Sequence, residues 1–433
     1  MSLFGAMTTA ISGLSAQSSS LSNIGDNLAN TQTVGFKRVG TTFDDYLSFS
    51  SAAQNDSGAV VARPDYANTV QGAIAQSDNP LDLAVSGQGF FSVSQQNGDL
   101  NGLPTFNSEP AYTREGDFKL DRDGYLVNAS GYYLNGWVAD PTGKLDETSV
   151  QPLQVGQAGY SPVATSSVTL AANLAATPAP TSNPTSTTVP VYDSLGTAHN
   201  LQLTWTQSTA STWTLSIAQS STSPSLGSVT VAFGAAGDPA APEGTIGAVT
   251  ASSGALTGST FSAGGKASVG ITADFGLGPQ AITLGLGTFG GTDGVTQFAG
   301  TDSKLISLTQ NGVKPGSFSS VSMKSTGDVI VNYDNGQSRV VARVPVVTFP
   351  NADALQRQDG QAFTATKESG DGRTMQAGSN GAGELVTSSV EGSNVDIASE
   401  FTKLIVAQRA YSANTKMVTT ADDLLQQTID MKR

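Results

Sequence analysis

The chain has 433 residues, of which only 13% are charged, and its formal net charge is −14. This balance repels phosphate groups, so we expect neither nucleic acid nor an anionic membrane surface as a partner. The sequence contains no cysteine and a single histidine, His199. Disulfides, thiolate nucleophiles and zinc sites built from Cys or several His are therefore excluded, and we predict a protein that is not an enzyme and uses no cofactor or metal.

Residues 1–30 have the pattern of an amphipathic helix. Large apolar residues recur at heptad spacing or beside it, namely Met7, Ile11, Leu14, Leu21, Ile24 and Leu28. Such a stripe is typical of a helix that packs against another helix. The first lysine is Lys37 and no run of 18 apolar residues occurs, so we expect a soluble chain without a cleaved signal peptide and without membrane insertion. Residues 31–70 lack a clear period, and we predict an extended connector there.

The centre of the sequence has the alternation expected of β-strands. Residues 201–206 and 213–217 alternate apolar and polar side chains, which predicts a β-hairpin. Turn-forming pairs such as Asn97-Gly98 and Asp123-Gly124 recur and favour antiparallel β structure. Residues 151–300 contain only six charged residues, which indicates a separate domain. We therefore predict a discontinuous antiparallel β domain over 71–155 and 296–392, with an inserted outer β domain over 156–295.

Residues 393–433 predict a second amphipathic helix. Its heptad row is Leu404, Tyr411, Val418 and Leu425, and an interleaved row begins with Phe401 and Gln408. Ser393 and Asp396 fit a capping box at its start. Terminal helices often pack on a protein's own globular domain. Here both stripes lie at the ends of a chain that is otherwise β, and this placement favours packing against each other, as a coiled-coil-like inner domain of 1–30 and 393–433, or against another copy.

Short stretches at both ends resemble those of bacterial flagellar rod and hook proteins. Residues 24–31, followed by residues 34–37, are similar to the N-terminal signature of that family, and residues 393–397 and 405–411 are similar to its paired C-terminal signature. The positions that carry the resemblance are Asn27, Asn30, Gly35, Phe36, Lys37, Asn394, Val395, Asp396, Gln408 and Arg409.

Internal stretches narrow the resemblance to the hook branch of the family. Residues 81–85, 89–91 and 112–118 resemble the β domain that rod and hook proteins share. Residues 191–196, 296–298 and 333–336 resemble hook subunits, and rod subunits are generally shorter and lack so large an insertion.

The resemblance implies a structural subunit that polymerises into a curved helical tube, a universal joint that transmits motor torque from rod to filament. It implies export through the flagellar type III apparatus and a place in the extracellular hook and basal body, with the rod, the hook cap and the hook–filament junction protein as partners besides further copies. The helix stripes give the expected assembly residues, which are Met7, Ile11, Leu14, Leu21, Ile24, Leu28, Phe401, Leu404, Gln408, Tyr411, Val418 and Leu425.

Two alternatives remain at this point. The first is a distal rod subunit, which would form a straight and rigid tube. The second is a secreted β-rich adhesin or glycan-binding protein, in which Trp205 or Trp213 would be exposed to stack on a sugar.

Overall fold

A computed structural model describes residues 3–50, 55–100, 102–140, 143–156, 159–176, 184–219, 225–300 and 302–431. The chain divides into two compact units. The first unit comprises residues 1–158, 319–332 and 338–433, and the second comprises residues 159–318 and 333–337. As predicted, a helix lies at each end and the structure between them is mainly β. Among the described residues, neither helix is both long enough and apolar enough to cross a lipid bilayer.

The first unit begins with helix α1 (Leu3–Ala29) and a hairpin of two long strands, β1 (Val39–Ser50) and β2 (Asn55–Tyr66). Nine shorter strands follow, which are β3 (Ile74–Gln76), β4 (Leu83–Ser86), β5 (Phe91–Leu100), β6 (Leu103–Phe106), β7 (Ala111–Thr113), β8 (Lys119–Leu120), β9 (Leu126–Val127), β10 (Tyr132–Val138) and β11 (Gln151–Pro152).

The β1–β2 hairpin occupies the segment for which the sequence predicts an extended connector. Its strands pair antiparallel, with Val39 opposite Tyr66. The hairpin is attached to α1, because the Val60 amide donates a hydrogen bond to Ser12 Oγ (3.1 Å) and Asn23 Nδ2 donates to Thr41 Oγ1 (2.8 Å). Charged residues and a proline interrupt the apolar alternation of both strands, so the sequence pattern there was too weak to predict the pairing.

The second unit contains eleven of the described strands. They are β12 (Ser167–Asn173), β13 (Thr185–Tyr192), β14 (Ala198–Thr209), β15 (Thr212–Ala218), β16 (Ser225–Phe233), β17 (Ile246–Gly254), β18 (Leu256–Gly258), β19 (Lys266–Asp274), β20 (Pro279–Thr288), β21 (Val295–Thr296) and β22 (Lys304–Gln310), with a 3₁₀ turn at Gly234–Ala236. One sheet has the order β13-β14-β15-β16-β17, and the other has the order β18-β19-β20-β12-β21, with β22 paired to β12.

The inner faces of these two sheets form one apolar core. The predicted hairpin is confirmed, because β14 and β15 pair antiparallel with Leu203 opposite Ile217 and their apolar side chains are buried in the core. Trp205 and Trp213 each have only 3% of their surface exposed. The expectation that one of them would be exposed to bind a sugar, as in an adhesin, is therefore wrong, because both indoles complete the core.

The second unit includes more residues than the inserted β domain predicted at 156–295, because of how its strands pair. Strand β22 lies in residues assigned above to the discontinuous β domain, yet it pairs antiparallel with β12. Strand β12 also runs parallel to β20 and β21, so the insert is not purely antiparallel. The charge density of the sequence could not show this, because a strand's partner depends on a distant segment.

The chain then returns to the first unit. Its remaining strands are β23 (Phe318–Met323), β24 (Asp328–Tyr333), β25 (Ser338–Arg343), β26 (Val346–Thr348), β27 (Gln356–Arg357), β28 (Ala362–Thr364), β29 (Arg373–Met375), β30 (Glu384–Thr387) and β31 (Ser389–Glu391), with a 3₁₀ turn at Ala352–Ala354 before helix α2 (Ile397–Asp430). The largest sheet has the order β23-β24-β25-β10-β5-β7-β28-β27, with β6, β8, β9 and β11 attached beside it. Strand β31 pairs with β3, and β30 pairs with β4.

Candidate assembly interface

Helices α1 and α2 pack against each other in the first unit. The covered side chains of α2 recur at steps of four and three residues and are Glu400, Leu404, Ala407, Ala410, Asn414, Val418, Ala421 and Leu425. The buried side chains of α1 are mostly small, namely Ala10, Ala16, Ser20, Ile24 and Asn27. The helices approach closely, because a Cβ placed on Gly13 would lie 2.9 Å from Asn414 Nδ2. Small residues therefore set the distance between the two helices.

The structure covers one predicted row of α2 except for Tyr411, and it leaves the other row exposed. Leu404, Val418 and Leu425 are half-buried, whereas Phe401, Gln408 and Tyr411 are exposed. The second covered row is one residue earlier than the sequence indicates, at Glu400, Ala407, Asn414 and Ala421. An apolar pattern could not show this row, because its members are small or polar. The regular spacing of Ala407, Asn414 and Ala421 was the available signal.

The predicted residues of α1 are also only partly covered. Ile24 is buried, and Ile11 has 49% of its surface exposed. The others, Met7, Leu14, Leu21 and Leu28, are half-buried. The pairing of the two helices thus leaves much of the predicted apolar stripe accessible.

Large apolar side chains are concentrated on the uncovered part of α2. They are Ile397, Phe401, Ile405, Val406, Tyr411, Met417, Leu424, Ile429 and Met431, all exposed. The β1–β2 hairpin adds Phe43, Tyr46 and Val61. Exposed apolar residues at this density mark a surface that binds another protein.

The buried amide of Asn27 joins three segments at the base of the helix pair. Its Nδ2 donates to the carbonyl oxygen of Val39 (2.8 Å), and its Oδ1 accepts from the amide of Val39 (2.9 Å). The same Nδ2 donates to Glu400 Oε2 (3.2 Å). The Lys403 ammonium donates to the other oxygen of that carboxylate (2.6 Å). The end of α1, the start of β1 and the first turn of α2 are thereby held together.

A group of three buried charges lies next to this junction. Lys37 Nζ is 2.5 Å from Glu391 Oε1, and Arg114 Nη1 is 2.8 Å from Glu391 Oε2. The three side chains are at most 2% exposed. Main-chain oxygens accept further hydrogen bonds from both cations, since Lys37 donates to Val70 and Arg114 donates to Val85 and Gly87. One carboxylate thus binds two cations from distant parts of the sequence.

Burial shifts the pKa values of Lys37 and Glu115 in this region. The pKa of Lys37 is lowered, mainly because burial disfavours the ammonium, although the Glu391 carboxylate opposes the shift. Burial raises the pKa of Glu115 to about 7, and the negative charge of Asp117 adds to the shift. Asn128 Nδ2 donates to Glu115 Oε2 (2.8 Å). A carboxyl that is buried without a cationic partner is easier to protonate.

The residues of the two family signatures meet at this junction. Asn394 Oδ1 accepts from the amide of Arg38 (2.7 Å), and its Nδ2 donates to the carbonyl oxygens of Ala67 and Val70. Gly35 has φ +69°, and a Cβ there would lie 2.5 Å from the Glu115 nitrogen, so this position requires glycine. Phe36 is buried, with the Arg357 guanidinium carbon 4.4 Å from its ring centroid.

The remaining signature residues have local roles or face outward. Asp396 is the N-cap of α2, where its side chain accepts from the amides of Ala398 and Ser399; it acts alone rather than in the predicted capping box, since Ser393 Oγ accepts from the amide of Val395. Asn30 donates to the carbonyl oxygen of Asp26. Val395 is half-buried, and Gln408 and Arg409 are exposed on α2.

Sequence reasoning missed Glu391, Glu400 and the role of Arg114. Their sequence context gave no signal of burial, because other charged residues lie within four positions of both Arg114 and Glu400. Among the described residues, no group of three or more metal-ligating side chains comes together.

Comparisons with known protein families show which class of protein this chain belongs to. Family models match four parts of the chain: "Flagella basal body rod protein" at residues 7–37, "Flagellar hook protein FlgE/F/G D1 domain" at 84–161, "Flagellar basal body protein FlaE D2 domain" at 163–313 and "Flagellar basal body rod FlgEFG protein C-terminal" at 386–431. The paired terminal helices, the β-sheets of the first unit and the second unit are therefore those of a flagellar rod or hook protein.

Relatives that match over their full length then distinguish hook proteins from rod proteins. The flagellar hook protein FlgE of Brucella abortus is 32% identical over 437 residues, which cover 100% of both chains. That of Rhizobium meliloti is 32% identical over 446 residues with the same coverage, and that of Salmonella typhimurium is 28% identical over 98% of this chain and 99% of its own. The chain belongs to the flagellar hook protein family.

Proposed function

We propose that this chain is a structural subunit of the bacterial flagellar hook, which polymerises into a flexible curved tube that transmits torque from rod to filament. The observation that carries the proposal is the exposed apolar surface of α2 and the β1–β2 hairpin, on a chain that is related over its whole length to hook proteins. Other copies of the chain would cover this surface in the tube. Export through the flagellar channel, and contacts with the rod, the hook cap and the hook–filament junction protein, belong to the same proposal.

The sites of assembly are proposed to be the apolar residues of the two helices. Phe401 and Tyr411 have 47% and 41% of their surfaces exposed in the single chain. Burying an aromatic side chain contributes about 1.5–3 kcal/mol. Because the single chain does not bury these rings, replacing them should leave its own stability almost unchanged and weaken assembly strongly.

Deletion of the gene in its host, followed by complementation, tests the proposal. The wild-type gene should restore hooks and swimming, and antibodies against the chain should label the hook in electron micrographs. A Phe401→Ser, Tyr411→Ser variant should give short hooks or none, and the purified variant should unfold at the wild-type denaturant concentration.

A matched control replaces Leu100 and Leu103 by Ser, since both are exposed on the β5–β6 hairpin. This control should restore hooks fully. Normal hooks in the deletion strain, or labelling of another structure, would reject the hook function. Normal hooks in the Phe401→Ser, Tyr411→Ser strain would reject only the assigned surface.

A further inference from the structure

Four exposed charged residues of α2 lie seven residues apart, which places them on one row of the helix. In chain order they are Arg409, Lys416, Asp423 and Asp430. The row lies on the side of α2 opposite to the one that packs against α1, because its first three members each lie two residues beyond a covered position, Ala407, Asn414 and Ala421 respectively. We call these four residues the charge row. It has two positive charges followed by two negative charges.

Within the described part of the chain, no ion pair involves the charge row. The nearest helical neighbours of Arg409 are Ile405, Val406, Ser412 and Ala413, and those of Asp423 are Thr419, Thr420, Gln426 and Gln427. None of these can neutralise a charge. By contrast, Glu400 and Lys403 of the same helix pair at 2.6 Å. Helix α1 contributes only one charged residue, Asp26, so the charge row has no complement on the paired helix.

The charge row is complementary to a shifted copy of itself. Two parallel copies of α2 in register would place Arg409 beside Arg409 and Asp423 beside Asp423, which is repulsive. A shift of fourteen residues, or about 21 Å along the helix axis, would place Arg409 beside Asp423 of the neighbouring copy and Lys416 beside Asp430. The two cations of each copy could then pair with the carboxylates of one neighbouring copy, and its two carboxylates could pair with the cations of another.

We propose that the charge row sets the axial offset between the α2 helices of neighbouring copies, at about 21 Å. This inference rests on the proposed function, because a tube in which all subunits point the same way requires parallel helices. An antiparallel arrangement would also match opposite charges, but it has two-fold symmetry and closes at a dimer. The apolar residues of α2 supply the attraction, and the charge row selects the register, as charges do between coiled-coil helices.

Charge-swap variants of the full chain test the proposal. Arg409→Asp with Lys416→Asp makes the charge row wholly negative, and Asp423→Lys with Asp430→Lys makes it wholly positive. Each double variant should raise the critical concentration for tube assembly about tenfold, because two exposed attractions become repulsions. The quadruple variant reverses the order of charges but stays self-complementary, so it should assemble at nearly the wild-type concentration. The two double variants should also co-assemble when mixed.

The control makes the same change of net charge as Arg409→Asp with Lys416→Asp, but away from α2, through Lys119→Asp and Lys367→Asp at two exposed positions. It should assemble like the wild type, and all variants should have the wild-type unfolding midpoint. Electron cryo-microscopy of wild-type tubes should show neighbouring α2 helices offset by about 21 Å.

Wild-type assembly by the double variants, or failure of the quadruple variant to recover, would overturn the inference and leave the hook function intact. Wild-type chains that stop at a dimer would overturn the parallel offset. A wild-type gene that cannot restore hooks to the deletion strain would reject the proposed function itself.

Discussion

Both units of the chain bury apolar side chains, and they differ in the charged groups that are buried beside them. The first unit buries two cations and one carboxylate at the junction of Lys37, Arg114 and Glu391, together with the amide of Asn27. The second unit buries a large apolar cluster, in a region where residues 151–300 contain only six charged residues. Directional bonds between distant segments specify which parts of the first unit meet. Apolar burial, which is not directional, stabilises the second unit and specifies its contacts less strictly.

The largest effect is expected at the shared carboxylate. Glu391→Gln keeps the shape of the side chain but leaves Lys37 and Arg114 buried without an anion. Removing one partner of a buried ion pair costs about 3–5 kcal/mol. We expect this loss in the free energy of unfolding of the first unit, and hydrogen exchange should accelerate there while the second unit keeps its protection.

Glu384→Gln is the matched control, because Glu384 is exposed on the neighbouring strand β30. It should change stability by less than about 0.5 kcal/mol. A loss below about 1 kcal/mol in Glu391→Gln, or equal acceleration of exchange in both units, would contradict the assigned role of the buried charges.

The stability of the second unit should depend on its buried apolar volume rather than on buried charge. Leu215 is completely buried in the apolar cluster, so Leu215→Ala should cost about 3 kcal/mol through lost burial and a cavity. Faster hydrogen exchange should be confined to the second unit. Leu195→Ala is the control, since Leu195 has 66% of its surface exposed, and a similar cost at both positions would show that the cluster is not the stabilising core.

We expect a smaller difference between the two units in how their stability depends on pH. The pKa of Glu115 is about 7 in the folded chain, against an ordinary value of 4.5. Between these values the unfolded chain releases its proton first, so the contribution of Glu115 to the stability of the first unit should be fully present below pH 4.5 and be lost as the pH rises through 7. Residual solvent screening reduces the full linkage value, and we expect a loss of about 1–2 kcal/mol.

Glu115→Gln should remove this part of the pH dependence, and denaturant unfolding at several pH values between 4 and 8 would measure it. Glu109→Gln serves as the exposed control and should keep the wild-type slope. If Glu115→Gln kept that slope as well, the burial of Glu115 would not be its source.

Particular residues show what sequence reasoning could reach. The heptad row of Leu404, Tyr411, Val418 and Leu425 was visible because helical periodicity is a local property, although the structure leaves Tyr411 exposed. The neighbouring covered row at Ala407, Asn414 and Ala421 was not, because small and polar residues carry no apolar signal. Asn27, Lys37 and Asn394 were identified through the family resemblance, but nothing in their spacing indicated that they converge on one junction.

By itself, the sequence determined a helix at each end, the β character of the centre and the low charge of the insert, because composition and short-range periodicity encode these features. Only the tertiary structure decided which face of α2 meets α1, that residues 39–66 fold into a hairpin on α1, and that Glu391 binds both Lys37 and Arg114. The hairpin depends on contacts between residues up to 48 positions apart, and the other two features depend on segments that are hundreds of residues apart. The packing of the whole first unit selects such contacts, and no local pattern records them.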